Sequence, residues 1–120
     1  SPISFDRAEY DSDGLKVFLD DELDGYFNLP ACSFTLTVNG QAYILRGFVY
    51  YDSWNGERPY ILFDDTNIPV TIDSDDELLI TYNPAHENMS AEDLITELSG
   101  KPMGEFFNKP VENKLGTTEP

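Results

Sequence analysis

The chain has 120 residues, the usual length of one domain, and its 23 Asp and Glu side chains against seven Lys and Arg give a formal net charge of −16. A hydrophobic content of 40% with 13% aromatic residues is more than a disordered acidic chain carries, so the charge belongs to a folded protein. A field of this sign repels phosphate, which argues against direct binding of nucleic acid.

Neither a membrane-spanning segment nor a signal peptide is predicted. The sequence has no apolar run long enough to span a bilayer, and no charged segment precedes an apolar one. Cys32 is the only cysteine, which excludes an intramolecular disulfide, and its apolar surroundings predict a small buried side chain. We therefore expect a cytoplasmic protein that does not contact a membrane.

The first predicted element is a short strand over residues 15–19, which acidic residues precede and follow. Before it, residues 9–14 together with Asp20 have the ligand spacing of a calcium-binding loop. The first ligand position holds Glu9 instead of Asp, the last holds Asp instead of Glu, and only eight residues precede the loop where a helix is needed. We interpret the segment as an acidic turn before a strand and predict no metal site.

A β-hairpin is predicted around Asn39-Gly40. Residues 33–38 alternate between apolar and polar side chains, and residues 41–51 continue as a second extended run. Asn-Gly between two such runs is typical of a two-residue turn in which both residues have positive φ. Pairing across the turn predicts an apolar ladder with Leu36 opposite Tyr43 and Phe34 opposite Leu45.

The second strand of this hairpin is apolar on both faces. Such a pattern is typical of a strand that is covered on two sides. We therefore expect residues 41–51 to form the centre of the sheet, with Leu45 and Phe48 buried in the core.

Further strands are predicted over residues 59–63, 69–72 and 78–82, with acidic turns between them. The run at 69–72 is short and typical of an edge strand. Five or six strands at intervals of roughly ten residues predict a small, mostly antiparallel sheet, sandwich or barrel.

One helix is predicted, over residues 91–99. Ser90 is suited to cap its beginning, and Gly100 follows its end. Its apolar stripe is suited to pack on an open face of the sheet. The predicted fold class is therefore α+β, with one acidic domain over residues 1–108 and a flexible tail over residues 109–120, which lack apolar periodicity.

Catalysis is not predicted. His86 is the only histidine and Cys32 the only thiol, so one chain cannot assemble a zinc site of nitrogen and sulfur ligands or a triad that contains histidine. Among 23 carboxylates any two can be paired, so a pair of acids carries no information about glycosidase chemistry. We expect a protein that is not an enzyme and binds no cofactor.

The acidic residues concentrate in the predicted connections between strands. Three clusters are found: Asp20, Asp21, Glu22 and Asp24; Asp64 and Asp65; and Asp73, Asp75, Asp76 and Glu77. Connections from alternate turns of a small sheet meet at one end, and carboxylates two residues apart on an extended chain are roughly 7 Å apart, comparable to the phosphates of a nucleic-acid strand. The clusters indicate either a rim that imitates a polyphosphate or a solvated surface that only aids solubility.

The predicted partner is a basic protein, such as a nuclease or another nucleic-acid-binding protein, which the chain inhibits as a monomer or homodimer in the manner of anti-defence or immunity factors. Four aromatic residues in and around the loop between two predicted strands are candidate anchors: Tyr50, Tyr51, Trp54 and Tyr60. The alternative is a structural β-domain of a virion or other assembly, in which residues 101–120 reach another subunit.

Overall fold

Nine β-strands make up most of the part of the chain that the computed structural model describes, residues 4–20, 26–52, 60–83 and 103–116. A single turn of 3-10 helix, Ala31–Ser33, is the one helical element within these residues. The strands are β1 (Phe5–Asp11), β2 (Gly14–Leu19), β3 (Tyr26–Pro30), β4 (Phe34–Val38), β5 (Gln41–Ile44), β6 (Phe48–Asp52), β7 (Tyr60–Phe63), β8 (Leu78–Tyr82) and β9 (Phe106–Asn113).

Seven strands form one curled sheet in the order β5-β4-β8-β9-β1-β2-β7. Neighbouring strands in it are antiparallel except β1 and β9, which are parallel. The two remaining strands, β3 and β6, pair antiparallel in a separate small sheet. Because β4, β7 and β8 alternate buried with half-buried side chains, each strand turns one face toward a common core.

The core lies on the concave side of the large sheet. The ring of Phe34 in β4 is centred 4.8 Å from the rings of both Phe63 in β7 and Tyr82 in β8. Since β4 and β7 are near opposite edges in the strand order, this contact requires the sheet to curl until its edges approach each other. The largest fully buried side chains are Tyr82, Phe34, Phe63, Leu15, Leu36, Leu45, Ile61, Ile80 and Val17.

The connection between β7 and β8 fastens these two edges together. Asn67 is 3% exposed, and its side-chain amide donates hydrogen bonds to the carbonyl oxygens of Arg46, at 2.8 Å, and Phe48, at 3.0 Å. The backbone N–H of Arg46 donates in return to the carbonyl oxygen of Asn67 at 2.9 Å. Ile68 and Ile72 of the same connection are buried in the core. The buried side chain of Asn67 thus links the connection after β7 to the chain between β5 and β6, and its own polar atoms are hydrogen-bonded.

The predicted α+β fold class, with five or six strands and a C-terminal helix packed on them, is wrong. The protein is nearly all β, its main sheet has seven strands, and no helix of seven or more residues occurs in the described part of the chain. The segment predicted as a helix, residues 91–99, lies outside the described residues. Where a helix was expected to cover the sheet, the connection that contains Ile68 and Ile72 contributes buried side chains.

The predicted flexible tail is also wrong for residues 109–113, since they belong to β9 between β8 and β1. Val111 is 7% exposed and pairs with Leu78 on one side and Ala8 on the other. Most other side chains of β9 are exposed, so the strand lacks the alternating pattern by which a strand is predicted.

Residues 41–51 do not form one central strand. The segment divides into β5, at an edge of the large sheet, and β6, in the small sheet. Gly47, with φ of 74°, lies between the two strands and permits the change of direction that separates them. Leu45 is buried at 1% exposure as predicted, whereas Phe48 is 64% exposed, so its predicted burial is wrong.

The hairpin turn itself is confirmed. Asn39 and Gly40 have φ of 51° and 87°, and Leu36 pairs with Tyr43 as predicted. The strands predicted over residues 15–19, 59–63 and 78–82 are confirmed as β2, β7 and β8. The strand predicted over residues 69–72 is absent, because this segment belongs to the connection between β7 and β8, in which Ile72 is buried while Pro69 and Thr71 are exposed. Cys32 is half-buried rather than buried.

Candidate acidic interface

Two connections lie at one end of the large sheet, the turn between β1 and β2 and the connection between β7 and β8. The turn at residues 12–13 joins β1 to β2, and β7 pairs with β2 so that the chain after β7 lies beside this turn. Asn113, which pairs with Tyr10 near the end of β1, donates hydrogen bonds to the carbonyl oxygens of Asp73 and Asp76. We call this region the acidic end, and its carboxylates are Asp11, Asp13, Asp64, Asp65, Asp73, Asp75, Asp76 and Glu77.

Two of the three predicted acidic clusters meet at the acidic end. The third does not lie there in its described part, because Asp20 follows the far end of β2, where its carboxylate accepts a hydrogen bond from the backbone N–H of Ser4 at 2.8 Å. Asp21, Glu22 and Asp24 lie outside the described residues. Asp11 and Asp13 complete the acidic end, although the sequence assigned them only to an acidic turn.

Asp76 holds the backbone of the acidic end in place. One carboxylate oxygen accepts a hydrogen bond from the backbone N–H of Asp73 at 2.7 Å, and the other accepts one from the side-chain amide of Asn39 at 2.8 Å. These two hydrogen bonds, the one from Asp73 first, lower the pKa of Asp76 below its ordinary value. Asn39 also accepts a hydrogen bond from the backbone N–H of Glu77 at 2.8 Å. Asp76 therefore ties the connection before β8 to the β4–β5 turn.

Asp64 and Asp11 have similar local roles. The carboxylate of Asp64 accepts hydrogen bonds from the backbone N–H of Thr66, at 2.9 Å, and from its hydroxyl. The carboxylate of Asp11 accepts one from the backbone N–H of Asp13 at 2.9 Å and lies 3.4 Å from the ammonium of Lys16. Such short-range bonds fix the turns that contain them.

Four exposed carboxylates remain without a hydrogen-bond or ion-pair partner among the described residues: Asp65, Asp73, Asp75 and Glu77. The negative charge of one of them, Asp65, reaches the phenol of Tyr10. Burial raises the pKa of Tyr10 most, and the charges of Asp65 and Asp11 raise it further. We call these four residues the free acids, since they are available to a partner from outside.

Arg7 and Lys114 are paired with a carboxylate outside the acidic end, on the convex face of the sheet. The carboxylate of Glu9 is 2.9 Å from the guanidinium of Arg7 and 3.0 Å from the ammonium of Lys114. We call these three residues the Glu9 cluster. The hydrogen bond from Lys114 lowers the pKa of Glu9 most, and the charges of Lys114 and Arg7 add to this against the cost of burial. Arg7 also stacks on the ring of Phe18 at 3.8 Å.

The predicted aromatic anchors do not join the acidic end in the described part of the chain. Tyr60 begins β7 at the far end from Asp64, and its ring packs 5.2 Å from the ring of Phe18. Tyr50 and Tyr51 belong to β6, but the structure does not describe their side chains. Trp54 lies outside the described residues. Among the described residues, none of the four predicted anchors lies beside the free acids.

A cleft of about 430 Å³ opens beside the acidic end. Its lining combines the side chains of Tyr10, Arg46 and Asp65 with apolar residues of the connection after β7. Within the described ranges, no group of three or more His, Cys, Asp and Glu side chains is arranged to hold a metal ion.

Comparisons with protein-family models, curated proteins and solved structures found no match to this chain. Among the described residues, no helix has the length and apolar character required to cross a bilayer. The acidic end is therefore interpreted from its own geometry and charge.

Proposed function

We propose that the protein is a non-enzymatic acidic binding protein that inhibits or sequesters a basic partner. The partner is a nuclease or another nucleic-acid-binding protein, and the acidic end occupies the Lys and Arg side chains that otherwise contact phosphate. The observation that supports this proposal is the gathering of free acids at one end of the sheet while Arg7, Lys16 and Lys114 are bound to other carboxylates. Nucleic-acid-binding proteins derive much of their affinity from basic clusters, which makes those clusters vulnerable to an acidic decoy.

The backbone hydrogen bonds of the acidic end favour recognition by charge mimicry. Asp76, Asp64 and Asn67 hold the connection between β7 and β8, which carries the free acids, so the charges are presented without ordering a loop at the moment of binding. A fixed array of like charges also accelerates association with an oppositely charged surface.

We also propose a cellular setting for this function. The protein acts in the cytoplasm as a monomer or homodimer, as a DNA mimic of the anti-defence or immunity type, encoded for example by a virus. The free thiol of Cys32 is compatible with a reducing compartment.

A structural role in a virion or other assembly is the second candidate. The observation in its favour is three large apolar side chains exposed to solvent, Ile44 at 58%, Phe48 at 64% and Phe107 at 52%. Its original form, with residues 101–120 reaching a neighbouring subunit, loses support because Phe106–Asn113 pair inside their own sheet.

The proposed function is tested by competition with DNA. A panel of basic nucleases and DNA-binding proteins is mixed with a fluorescent DNA duplex, and the protein is titrated in at low salt. We expect displacement of the duplex from at least one panel member, with an apparent affinity that falls steeply as salt is added.

A matched pair of double variants identifies the surface responsible. Asp75→Asn with Glu77→Gln removes two free acids, and Asp6→Asn with Glu105→Gln removes the same two charges from exposed positions at the opposite end of the sheet. We expect the first double variant to compete about tenfold more weakly and the second to resemble wild type. Equal loss in both, or no displacement by wild type from any panel member, contradicts the proposed function.

A further inference from the structure

The two edges of the large sheet differ in how they are covered. β7 forms one edge, and β6 of the small sheet lies close to it. β5 forms the other edge, and no strand pairs with its outer side in the described part of the chain. An uncovered edge strand presents backbone donors and acceptors to solvent and is a template for another strand.

The register of the hairpin shows which groups face outward. Gln41 pairs with Val38 directly across the two-residue turn, and the N–H of Leu45 donates to the carbonyl oxygen of Phe34 at 3.0 Å. In an antiparallel pair the residues bonded to the partner strand alternate with those that are not. The backbone N–H and C=O groups of Ala42 and Ile44 therefore point away from β4.

Apart from its length of four residues, β5 lacks the sequence features that usually block strand addition. Residues 41–44 contain no charged residue, no proline and no bulge, and the side chain of Ile44 is 58% exposed. Short length alone limits pairing here. An added strand would gain backbone hydrogen bonds at Ala42 and Ile44 and an apolar neighbour in Ile44.

The charge beside this edge indicates what binds it. β5 starts directly after Asn39-Gly40, and Asn39 is hydrogen-bonded to the carboxylate of Asp76 and to the backbone of Glu77. One end of the edge is therefore next to the acidic end. A second copy of the chain would bring another charge of −16 toward the same surface, which opposes self-pairing, whereas a basic segment is attracted.

We propose that the outer edge of β5 adds an extended, Lys- or Arg-rich segment of the basic partner as an eighth strand of the large sheet. The free acids attract the segment, and the backbone groups of Ala42 and Ile44 then fix its register. This inference rests on the proposed function and specifies how the partner is held.

A synthetic peptide of seven residues that alternates Lys and Val serves as the probe. Its control is the same peptide with the backbone nitrogens of its five central residues methylated, which keeps the charge but removes the donors that pair with an edge. We expect the control to bind the wild-type protein about tenfold more weakly, because two or more backbone hydrogen bonds are lost. In hydrogen exchange, the amides of Ala42 and Ile44 should become protected by about tenfold when the unmodified peptide binds.

Ala42→Pro and Ala42→Val provide the matched protein variants. Proline removes the outward N–H of this exposed residue and also fixes its φ, whereas valine keeps the N–H. We expect weakened peptide binding for Ala42→Pro alone, with the thermal midpoint and the amide spectrum of the core checking that the hairpin remains folded. The peptide pair tested on wild-type protein remains decisive if Ala42→Pro does not fold.

Equal binding of both peptides, or binding without protection of Ala42 and Ile44, overturns the edge proposal. The proposed function stands in that case if the Asp75 and Glu77 double variant still competes weakly with DNA for the basic protein. A concentration-dependent dimer in which these two amides are already protected also overturns the proposal, since a second copy would then be the occupant. Failure of the DNA competition itself removes the proposed function and the inference together.

Discussion

The Glu9 cluster and the acidic end differ in whether their carboxylates are paired with cations. Glu9 is 9% exposed and has two cations within 3.0 Å, whereas the acidic end collects eight carboxylates around one ammonium, that of Lys16. A carboxylate that loses its water must be paired, because an unpaired buried charge is costly. Carboxylates that keep their water carry no such requirement. Arg7 and Lys114 thus neutralise the acid that burial makes most costly, and most carboxylates of the acidic end have no paired cation among the described residues.

The acidic end itself contains two kinds of acidic residue. Asp76 and Asp64 accept hydrogen bonds that hold the connection between β7 and β8, while the carboxylates of the free acids accept none from the described residues. Substitutions at these two kinds of position should therefore differ in their effect on stability, although the positions are close in sequence.

Among substitutions at the acidic end, Asn67→Ala should lower the free energy of unfolding most. The substitution leaves the carbonyl oxygens of Arg46 and Phe48 without their donor and releases the turn that begins at Asp64. We expect a loss of about 2–3 kcal/mol in the free energy of unfolding, measured by urea denaturation. Thr71→Ala, at an exposed position of the same connection, should change it by less than about 0.5 kcal/mol. Equal stability of the two variants would mean that Asn67 does not fasten the edges.

Glu9→Gln should destabilise the convex face. The variant loses the charge that Arg7 and Lys114 share, and we expect a loss of about 2 kcal/mol, the range for hydrogen bonds to charged groups. Glu112→Gln, on the neighbouring strand, is the control and should stay within about 0.5 kcal/mol of wild type. Because the native pKa of Glu9 is lowered, its contribution is complete above the ordinary pKa of Glu and disappears as the pH falls through the native value. A stability difference between wild type and Glu9→Gln that persists at low pH would contradict this pairing.

Asp76→Asn should lower the stability of the protein less than Glu9→Gln does. The pH dependence of the two losses should have the same sign. The amide cannot accept both hydrogen bonds, so the thermal midpoint should fall at neutral pH. The native pKa of Asp76 is lowered, so the difference from wild type should be present above the ordinary Asp value of about 3.9 and vanish as the pH falls below it. Asp75→Asn, one residue earlier, should show no such difference. A lower midpoint in Asp75→Asn than in Asp76→Asn would reverse the assignment of the two acids.

The free acids should have the smallest effect on stability. Removing two of them with Asp75→Asn and Glu77→Gln relieves like-charge repulsion and breaks no hydrogen bond made by a carboxylate. We expect the free energy of unfolding to remain within about 0.5 kcal/mol of wild type, on the stabilising side. A clear destabilisation in urea titration would show that these acids serve the fold instead of a partner.

The elements that the sequence predicts correctly are those specified by neighbouring residues. The Asn39-Gly40 turn is one, since two adjacent residues that tolerate positive φ between alternating runs determine the hairpin and its register. β9 could not be predicted in this way. Its place depends on pairing with β1, about a hundred residues earlier in the chain, and Val111 is the one inward side chain in its exposed middle portion.

The candidate site could likewise be predicted from the sequence only in part. That acidic residues collect in connections is visible in the sequence, and two predicted clusters do meet. The position of Asp20 at the far end and the inclusion of Asp11 and Asp13 depend on strand order, which composition does not specify. The structural role of Asp76 depends on Asn39, 37 residues away, so no local pattern identifies it.

If the free acids attract a basic partner, they should accelerate its association with the protein. With the basic protein from the panel that responds most strongly, stopped-flow association is measured for wild type and the two matched double variants from low salt to about 1 M, where the Debye length falls to about 3 Å. We expect Asp75→Asn with Glu77→Gln to slow association several-fold at low salt and Asp6→Asn with Glu105→Gln to leave it unchanged, and we expect all three rates to converge at high salt. Equal rates for the two double variants at low salt would contradict this expectation.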